Sequence, residues 1–449
     1  MAAHAARQKS PVGYLALVRS NYNFRSLWTG QIISLFGDWF DLIASASLVA
    51  TLTRSGLAIG GLFVVRMLAP FLVSPLAGVA ADRYNRKHLL IAADISRAVV
   101  VLGFLLVRDA RQVWLLYTIT AIQLGIGGFF FPARNAILPD IVSRRELGAA
   151  NALSSVTWSV MLSFGAALGG IAAGQWGIYP SFVIDSASFF LSAIFISRVS
   201  YHHQLALGGK SESIAVAYEQ YIDGLRYLKQ HGDILAIALQ KAAVALTITG
   251  AFQVIQVALA ERVYVIGEGG GTSLGILYAV AGVGTGIGPI IARRFTGDKN
   301  PTLRIALAIS YAVSVIGLAF TAPLLGFILV LFGTFVRSFG GGINWVFSTQ
   351  LLLQTVPDRV RGRVFSSEFA LFTLANAVSS AVGGWALDNT SLGISGLLWW
   401  MTILTLVPGI LWVVWTAVGE KAPPLPDPDE EEALHVSRTS EASPVPAKD

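Results

Sequence analysis

Long apolar runs separated by short polar stretches dominate the pattern of this 449-residue chain. A helix needs ~20 residues to cross ~30 Å of hydrocarbon, and about twelve runs are long enough. Unbroken runs favour helices, because the strands of a membrane barrel would alternate between polar and apolar residues. The pattern predicts an all-α membrane protein with twelve transmembrane helices, near 25–50, 57–80, 88–108, 112–137, 148–174, 178–198, 233–260, 272–294, 302–321, 324–353, 363–387 and 393–418.

A long polar connection divides these helices into two sets of six. Its second part, Ser213 to Gln230, places apolar residues at helical spacing and predicts an amphipathic helix at the membrane surface. A weak repeat supports the division, since Leu138-Pro-Asp140 and Val356-Pro-Asp358 follow the fourth and tenth runs. The acidic, proline-rich tail has no apolar face, which predicts disorder. The predicted segments are 1–24 (cytoplasmic), 25–198 (first half), 199–232 (linker), 233–419 (second half) and 420–449 (tail).

Composition and charge support this picture. Hydrophobic residues make up 54% of the chain and charged residues 13%, whereas a soluble domain carries about 25% charged residues. The absence of cysteine excludes disulfides and thiolate metal sites. The net charge of +6 reflects basic loops on one side of the membrane, so no nucleic-acid partner is expected. Among loops on the other side, arginines fall only at Arg54, Arg108, Arg111 and Arg262, which predicts cytoplasmic termini.

One short charged segment lies between the second and third runs: Gly78-Val-Ala-Ala-Asp82-Arg83-Tyr-Asn-Arg86-Lys87. Charges of this kind are costly in hydrocarbon, so the segment must lie at a membrane surface. Its spacing resembles the signature loop between helices 2 and 3 of the major facilitator superfamily. The resemblance implies a twelve-helix transporter in which this loop latches the cytoplasmic side. Asp82 would then lie near the start of the eleventh helix, with Asp140 or Glu368 as partners for the cations.

Further segments resemble the bacterial efflux branch of that family, which contains macrolide and siderophore exporters. They are Phe131-Pro-Ala-Arg134-Asn-Ala-Ile-Leu-Pro139, Glu146-Leu-x-x-Ala-Asn151-Ala-Leu and Arg361-Gly362-Arg363-Val-Phe. The fifth run is similar to an antiporter motif at Gly165, Gly169 and Gly170, although Ala166 replaces its usual proline; close helix packing explains these glycines equally well. The family's proton-linked arginine is missing from the fourth run, and Arg337 in the tenth could supply that charge.

Charged residues deep within the runs are the remaining candidates, because such residues need a partner or a cavity. Asp38 and Asp41 share one face of the first helix. Arg66 is expected to pair with one of them, leaving the other able to carry a proton; a permanent ion pair beside a solvated acid is equally plausible. Asp94 and Arg97 are expected near the cytoplasmic end of the third helix, where an internal structural ion pair is the simpler explanation for them. Asp185, Lys241 and Glu368 are expected near helix ends, where capping or snorkelling explains them.

Together these features predict a secondary active transporter, without cofactor or metal, in the bacterial inner membrane. It would work as a monomer and export an amphipathic small molecule, such as a drug or siderophore, in exchange for protons. A lysophospholipid flippase remains an alternative, and a non-transporting sensor or scaffold is a weaker one. No catalytic motif supports an enzyme: Leu207-Gly208-Gly209-Lys210-Ser211 lacks the first glycine of a phosphate loop and follows no strand.

Overall fold

The computed structural model describes residues 13–201 and 214–419, excluding the side chains of Asp82, Ser155, Ser159 and residues 214–221. In this part of the chain, twelve helices are long and apolar enough to cross a membrane. The predicted fold class is therefore confirmed, with boundaries within a few residues of expectation. We number the helices as spans 1 to 12: Tyr22–Thr53, Gly56–Ala81, Arg86–Leu106, Ala110–Ile141, Leu147–Gln175, Ile178–Ser197, Gly232–Val263, Glu268–Thr296, Asn300–Thr321, Phe327–Thr355, Asp358–Asn389 and Gly393–Val418.

Two helices lie outside the spans, and several spans depart from regular α-helix. The predicted linker helix is present at Ile214–Gln230, whereas the short helix Tyr14–Ser20 was not predicted. Span 5 contains a π-helical turn at Met161–Gly165, and span 7 contains another at Ala245–Thr249. A π turn inserts one residue into the helical register and turns the following side chains to a new face. Residues 202–213 and 420–449, which include most of the linker's first part and the predicted disordered tail, lie outside the described residues.

The two ends of the helix bundle are distinguished by their turns. We call the end with the turn after Arg83, between spans 2 and 3, the motif end. The opposite end, with the turn Arg54–Ser55 between spans 1 and 2, is the far end. Because each span crosses the bundle, the turns alternate between these two ends along the chain.

Buried apolar side chains form one core at the far end and two cores at the motif end. The far-end core joins both halves, with Phe63 and Phe182 from the first half and Phe252 and Leu277 from the second. The motif-end cores are separate. One contains first-half residues such as Leu27 and Ile137, and the other contains second-half residues such as Leu307 and Phe347.

Glycines allow the two halves to touch at the far end. The Cα atoms of Gly170 in span 5 and Gly275 in span 8 face each other so closely that a Cβ on either would collide with the other helix. Gly384 of span 11 approaches the backbone of Gly56 in span 2 in the same way. Towards the motif end, a Cβ at Gly78 of span 2 or Gly286 of span 8 would meet nothing within 4 Å. In the described conformation, the joint core and these glycine contacts therefore hold the two halves together at the far end, whereas the motif-end cores stay separate.

Candidate functional site

Span 1 carries a buried aspartate near its middle that is paired across the first half. The Asp41 carboxylate is fully buried and lies 2.9 Å from a guanidinium nitrogen of Arg66 in span 2. This is the pairing that the sequence predicted for one of the two span 1 aspartates. The other carboxylate oxygen of Asp41 is buried without a hydrogen-bond partner among the described residues. A buried carboxylate that is only half satisfied is costly, so it needs another source of neutralisation.

A second ion pair lies beside the first. Arg97 of span 3 contacts Asp94 at 2.5 Å and Asp38 of span 1 at 3.7 Å. The Asp94 carboxylate also accepts a 2.6 Å hydrogen bond from Ser192, and the guanidinium lies over the Phe189 ring at 4.0 Å. The predicted internal pair is present, but it lies near mid-span rather than near the helix end, and it extends to Asp38. The Asp38 side chain keeps about a third of its surface exposed (31%), so it is the accessible member of the group.

A fourth carboxylate joins these residues from span 6. Asp185 is fully buried in the middle of its helix, so the expectation that it lies near a helix end was wrong. Its electrostatic neighbours are Asp38, Asp41, Arg66 and Arg97. The close approach of spans 1 and 6 brings it there, since a Cβ at Gly37 would overlap the side chains of Asp185 and Ser188. One signal in the sequence could have found this residue: it is a lone aspartate within an otherwise uncharged span.

The resulting acidic cluster contains more negative than positive charge. It consists of four carboxylates and two guanidinium groups: Asp38, Asp41, Asp94, Asp185, Arg66 and Arg97. If every member were ionised, two negative charges would remain uncompensated in a low-dielectric interior, where charge is expensive. Polar atoms inside it also lack partners within the described residues, namely Oε1 of Gln123 and Nε of Arg97. The arrangement is therefore suited to bind and release protons or another cation.

The second half has no matching acidic excess in the described residues. Lys241 of span 7 pairs with Glu368 of span 11 at 3.0 Å, and its ammonium lies 4.6 Å from the Trp345 ring centre. Both members of this pair are buried, so snorkelling or capping near helix ends was the wrong explanation for them. Arg304 and Asp233 form another buried pair, with two contacts of 2.8 Å and 2.5 Å. These pairs link spans within one half and balance their own charge.

Arg337 has different surroundings. It lies near the middle of span 10, where its guanidinium stacks over the Phe252 ring at 4.0 Å. It donates a 3.0 Å hydrogen bond to the Ser338 hydroxyl, and its Nε is buried without a partner. In the described residues it forms no ion pair. Tyr278 of span 8 lies within the electrostatic range of both Arg337 and Arg66, so it stands between the two halves.

The signature-loop residues lie at the motif end. Arg86 binds Asp140 at 2.7 Å and the carbonyl oxygen of Ala136 at 3.1 Å, so it caps the end of span 4 within its own half. Glu368, the other expected partner for the loop cations, pairs with Lys241 instead. Arg83 is exposed and Lys87 half-buried. The side chain of Asp82 lies outside the described residues, so its expected place near span 11 stays a prediction.

The remaining predicted motifs lie on helix contacts. Gly165 and Gly169 face Trp39 of span 1, whereas Gly170 faces span 8, so the antiporter-like motif contacts both halves. At the start of span 11, Arg361 pairs with Asp358 at 2.5 Å and Gly362 has open space around it.

Arg363 instead contacts the linker helix. Its guanidinium lies 3.5 Å from Asp223, which also pairs with Arg226. Gly224 allows the linker helix to lie directly against the span 11 backbone at Arg363. The linker helix is thus attached to the motif end of span 11.

Asp388 at the far end of span 11 was missed by the sequence analysis. It accepts hydrogen bonds from Ser55 Oγ at 2.6 Å and from the backbone nitrogens of Gly56 and Leu57 at 2.6 and 2.9 Å. The two backbone nitrogens belong to the first turn of span 2, where N–H groups have no partner within the helix. Asp388 of the second half therefore caps a helix of the first half. Arg262 adds a 2.6 Å hydrogen bond to the Arg54 carbonyl. An aspartate at a helix end gives no sign of a partner 333 positions away in the sequence, and only the fold reveals this contact.

A bundle of twelve spans that is closed at one end, with ion pairs at mid-depth, defines a polytopic membrane protein of the transporter class. Comparison with known proteins identifies the family. The profile of the Major Facilitator Superfamily matches residues 27–367, and the chain belongs to this family. It is accordingly a multi-pass membrane transporter.

Relatives include proteins named as exporters. The chain is 28% identical to "Uncharacterized MFS-type transporter YfiS" of Bacillus subtilis, over 82% of this chain and 87% of the relative. It is 23% identical to "Putative bacilysin exporter BacE" of the same species, over 80% and 87%. Identity to "Enterobactin exporter EntS" of Shigella boydii is 23%, over 82% and 85%. The solved structure of the nucleoside transporter NupG superposes with a TM-score of 0.66 at 12% identity, over 87% and 98%, which shows a shared fold.

Proposed function

We propose that this chain is a secondary active transporter, not an enzyme, which exports an amphipathic small molecule from the bacterial cytoplasm in exchange for protons. The acidic cluster is the observation that carries the proposal. Its two surplus carboxylates lie at mid-depth, and Asp38 keeps about a third of its side-chain surface exposed (31%), whereas Asp41 and Asp185 are buried. Binding of protons neutralises the cluster, and their release recharges it, so the cluster's energy depends on which side of the membrane it faces.

The way the halves meet supports alternating access. The far end is held by the Asp388 cap and by close glycine contacts, whereas the motif-end cores are separate. The excess of Lys and Arg in the motif-end loops supports an inner-membrane protein whose motif end and both termini face the cytoplasm. The described conformation then faces inward. In the outward-facing state, the loop of Gly78, Asp82, Arg83, Arg86 and Lys87 would close against span 11.

Relatives named as bacilysin and enterobactin exporters support export as the direction of transport. The apolar, aromatic surroundings of Trp39, Tyr278 and Phe252 suit an amphipathic substrate. We further propose that the protein acts as a monomer.

The test is proton movement in inverted membrane vesicles that hold an imposed pH gradient. Macrolides, siderophores, dyes and lysolipids are added in turn to vesicles with the native protein and with Asp38→Asn. The proposal predicts that one compound class collapses the gradient and that Asp38→Asn abolishes the collapse at equal protein level. No collapse with any compound would contradict proton-coupled export. Movement of lysolipid without proton movement would instead identify a lipid flippase.

A further inference from the structure

The Lys and Arg side chains near the middle of the spans differ in whether a carboxylate lies beside them. Arg66, Arg97, Lys241 and Arg304 each lie within 3.0 Å of a carboxylate oxygen. Arg337 lies at comparable depth and forms no ion pair with any carboxylate in residues 13–201 and 214–419 whose side chains are described. A mid-membrane arginine is costly on its own, and such residues mark substrate or ion pathways.

The surroundings of Arg337 restrict its position. On one side, span 9 packs directly on the span 10 backbone, because a Cβ at Gly317 would overlap the backbone nitrogen of Arg337. On the other side, the guanidinium carbon lies over the Phe252 ring, 4.0 Å from its centre. A guanidinium presents its nitrogens as a planar fork, and this fork matches the two oxygens of a carboxylate.

The position of Arg337 also faces the other half. It shares the neighbourhood of Tyr278 with Arg66, and the Tyr278 ring packs against Trp39 of span 1 at 5.7 Å between centroids. Arg66 is already paired with Asp41, whereas Arg337 has no carboxylate partner among the described residues beside this aromatic group. A ligand held there would place a negative group on Arg337 and an apolar body near Trp39 and Tyr278.

We infer that Arg337 is the binding group for a carboxylate on the transported molecule, which would make the substrate class an amphipathic organic anion. This inference rests on the proposed transport function. The carboxylate of the ligand would neutralise Arg337, which has no carboxylate partner among the described residues. Binding would thereby remove the free-energy cost of an unpaired buried cation. The site thus distinguishes an anionic amphiphile from a neutral one of equal size.

The test measures binding rather than transport, so that a failure of proton coupling does not affect it. Purified full-length protein in detergent is titrated with 2-naphthylacetate and, in parallel, with the neutral 2-naphthylacetamide and the cationic 2-naphthylethylamine, following Kd by calorimetry. The inference predicts that the carboxylate binds at least about tenfold more tightly than either analogue (~1.4 kcal/mol). Equal affinity for the carboxylate and the amide, or no binding of the carboxylate, would overturn it.

Variants then test whether Arg337 is the residue that causes tighter binding of the carboxylate. Arg337→Gln should remove the roughly tenfold advantage of the carboxylate while leaving the amide affinity unchanged, and Arg337→Lys should keep part of it because the charge remains. Arg293→Gln is the matched control, since it removes an exposed second-half arginine paired with Asp298. A carboxylate preference that persists in Arg337→Gln would overturn the assignment. Binding with the predicted preference, but no proton movement, would uphold the inference and contradict proton coupling.

Discussion

At the residue scale, the central question is which carboxylate of the acidic cluster can change its charge without unfolding the protein. The Asp41 carboxylate lies 2.9 Å from the Arg66 guanidinium. The Asp38 carboxylate lies 3.7 Å from Arg97, whose closer partner is Asp94. Removing one member of a buried pair leaves an uncompensated charge, and removing a surplus carboxylate does not. We therefore expect Asp41 to contribute mainly to the free energy of unfolding and Asp38 mainly to proton coupling, although both lie on one face of span 1.

Asp41→Asn should destabilise the protein by about 3 kcal/mol or more, because Arg66 loses its partner in a low-dielectric site. Asp38→Asn should cost less than about 1 kcal/mol, because Arg97 keeps Asp94. Thermal unfolding in detergent measures both, with the double variant Asp41→Asn and Arg66→Gln as the control that restores the charge balance. Equal destabilisation by the two single variants would contradict the pairing.

At the scale of elements, glycines and one carboxylate determine how spans of different halves meet. The sequence predicts the spans because a membrane-crossing helix needs a minimum length of apolar residues. It also predicts that Arg66 pairs with one of the two span 1 aspartates, because the charges lie at similar depth, but not which one. It could not predict the Asp388 cap, whose partner depends on how spans 2 and 11 are arranged. It also misplaced Asp185, Lys241 and Glu368, since depth along a helix does not show which neighbour lies across from it.

Gly170→Val should destabilise the closed far end by about 1 to 3 kcal/mol, because its side chain would overlap the span 8 backbone at Gly275. Gly286→Val is the matched control: it adds the same atoms to a span at a position with nothing within 4 Å of a Cβ. Midpoints of thermal unfolding compare the two variants. A control as unstable as Gly170→Val would show that helix propensity, rather than the contact between halves, causes the loss.

Asp388→Asn should weaken far-end closure, because the anionic cap on the start of span 2 becomes neutral. The chain has no cysteine, so spin labels can be placed by Ala110→Cys and Leu325→Cys, two exposed far-end positions in different halves. Pulsed dipolar spectroscopy should show an additional, longer distance in the variant. Asn389→Ala is the control, since Asn389 bonds only to Trp385 within its own span among the described contacts. An unchanged distance distribution in Asp388→Asn would contradict its role as a latch.

At the scale of the whole molecule, a single far-end core and two motif-end cores fit one state of the proposed transport cycle. In this proposal the surplus charge of the acidic cluster, whose members come from spans 1, 2, 3 and 6, links the cycle to protons. If the halves exchange which end is closed, the motif-end glycine Gly78 must approach span 11 as Gly384 approaches span 2 in the described state.

Gly78→Leu should leave this conformation folded, since open space surrounds the position, yet should abolish transport by obstructing motif-end closure. Unfolding midpoints and substrate movement measured on the same preparation separate the two effects. Gly286→Leu, at a position with equally open space, is the control. Normal transport by Gly78→Leu would show that the motif end does not close there.

The most direct test of proton-driven alternating access follows both ends of one protein as pH changes. Spin-label pairs at the far end and at the motif end are measured in lipid at about pH 5 and about pH 9, a range that lies above the ordinary titration of exposed carboxylates near pH 4. The account predicts that the two distances change in opposite directions and that Asp38→Asn removes the change. Distances that stay fixed, or that respond equally in Asp38→Asn, would contradict it.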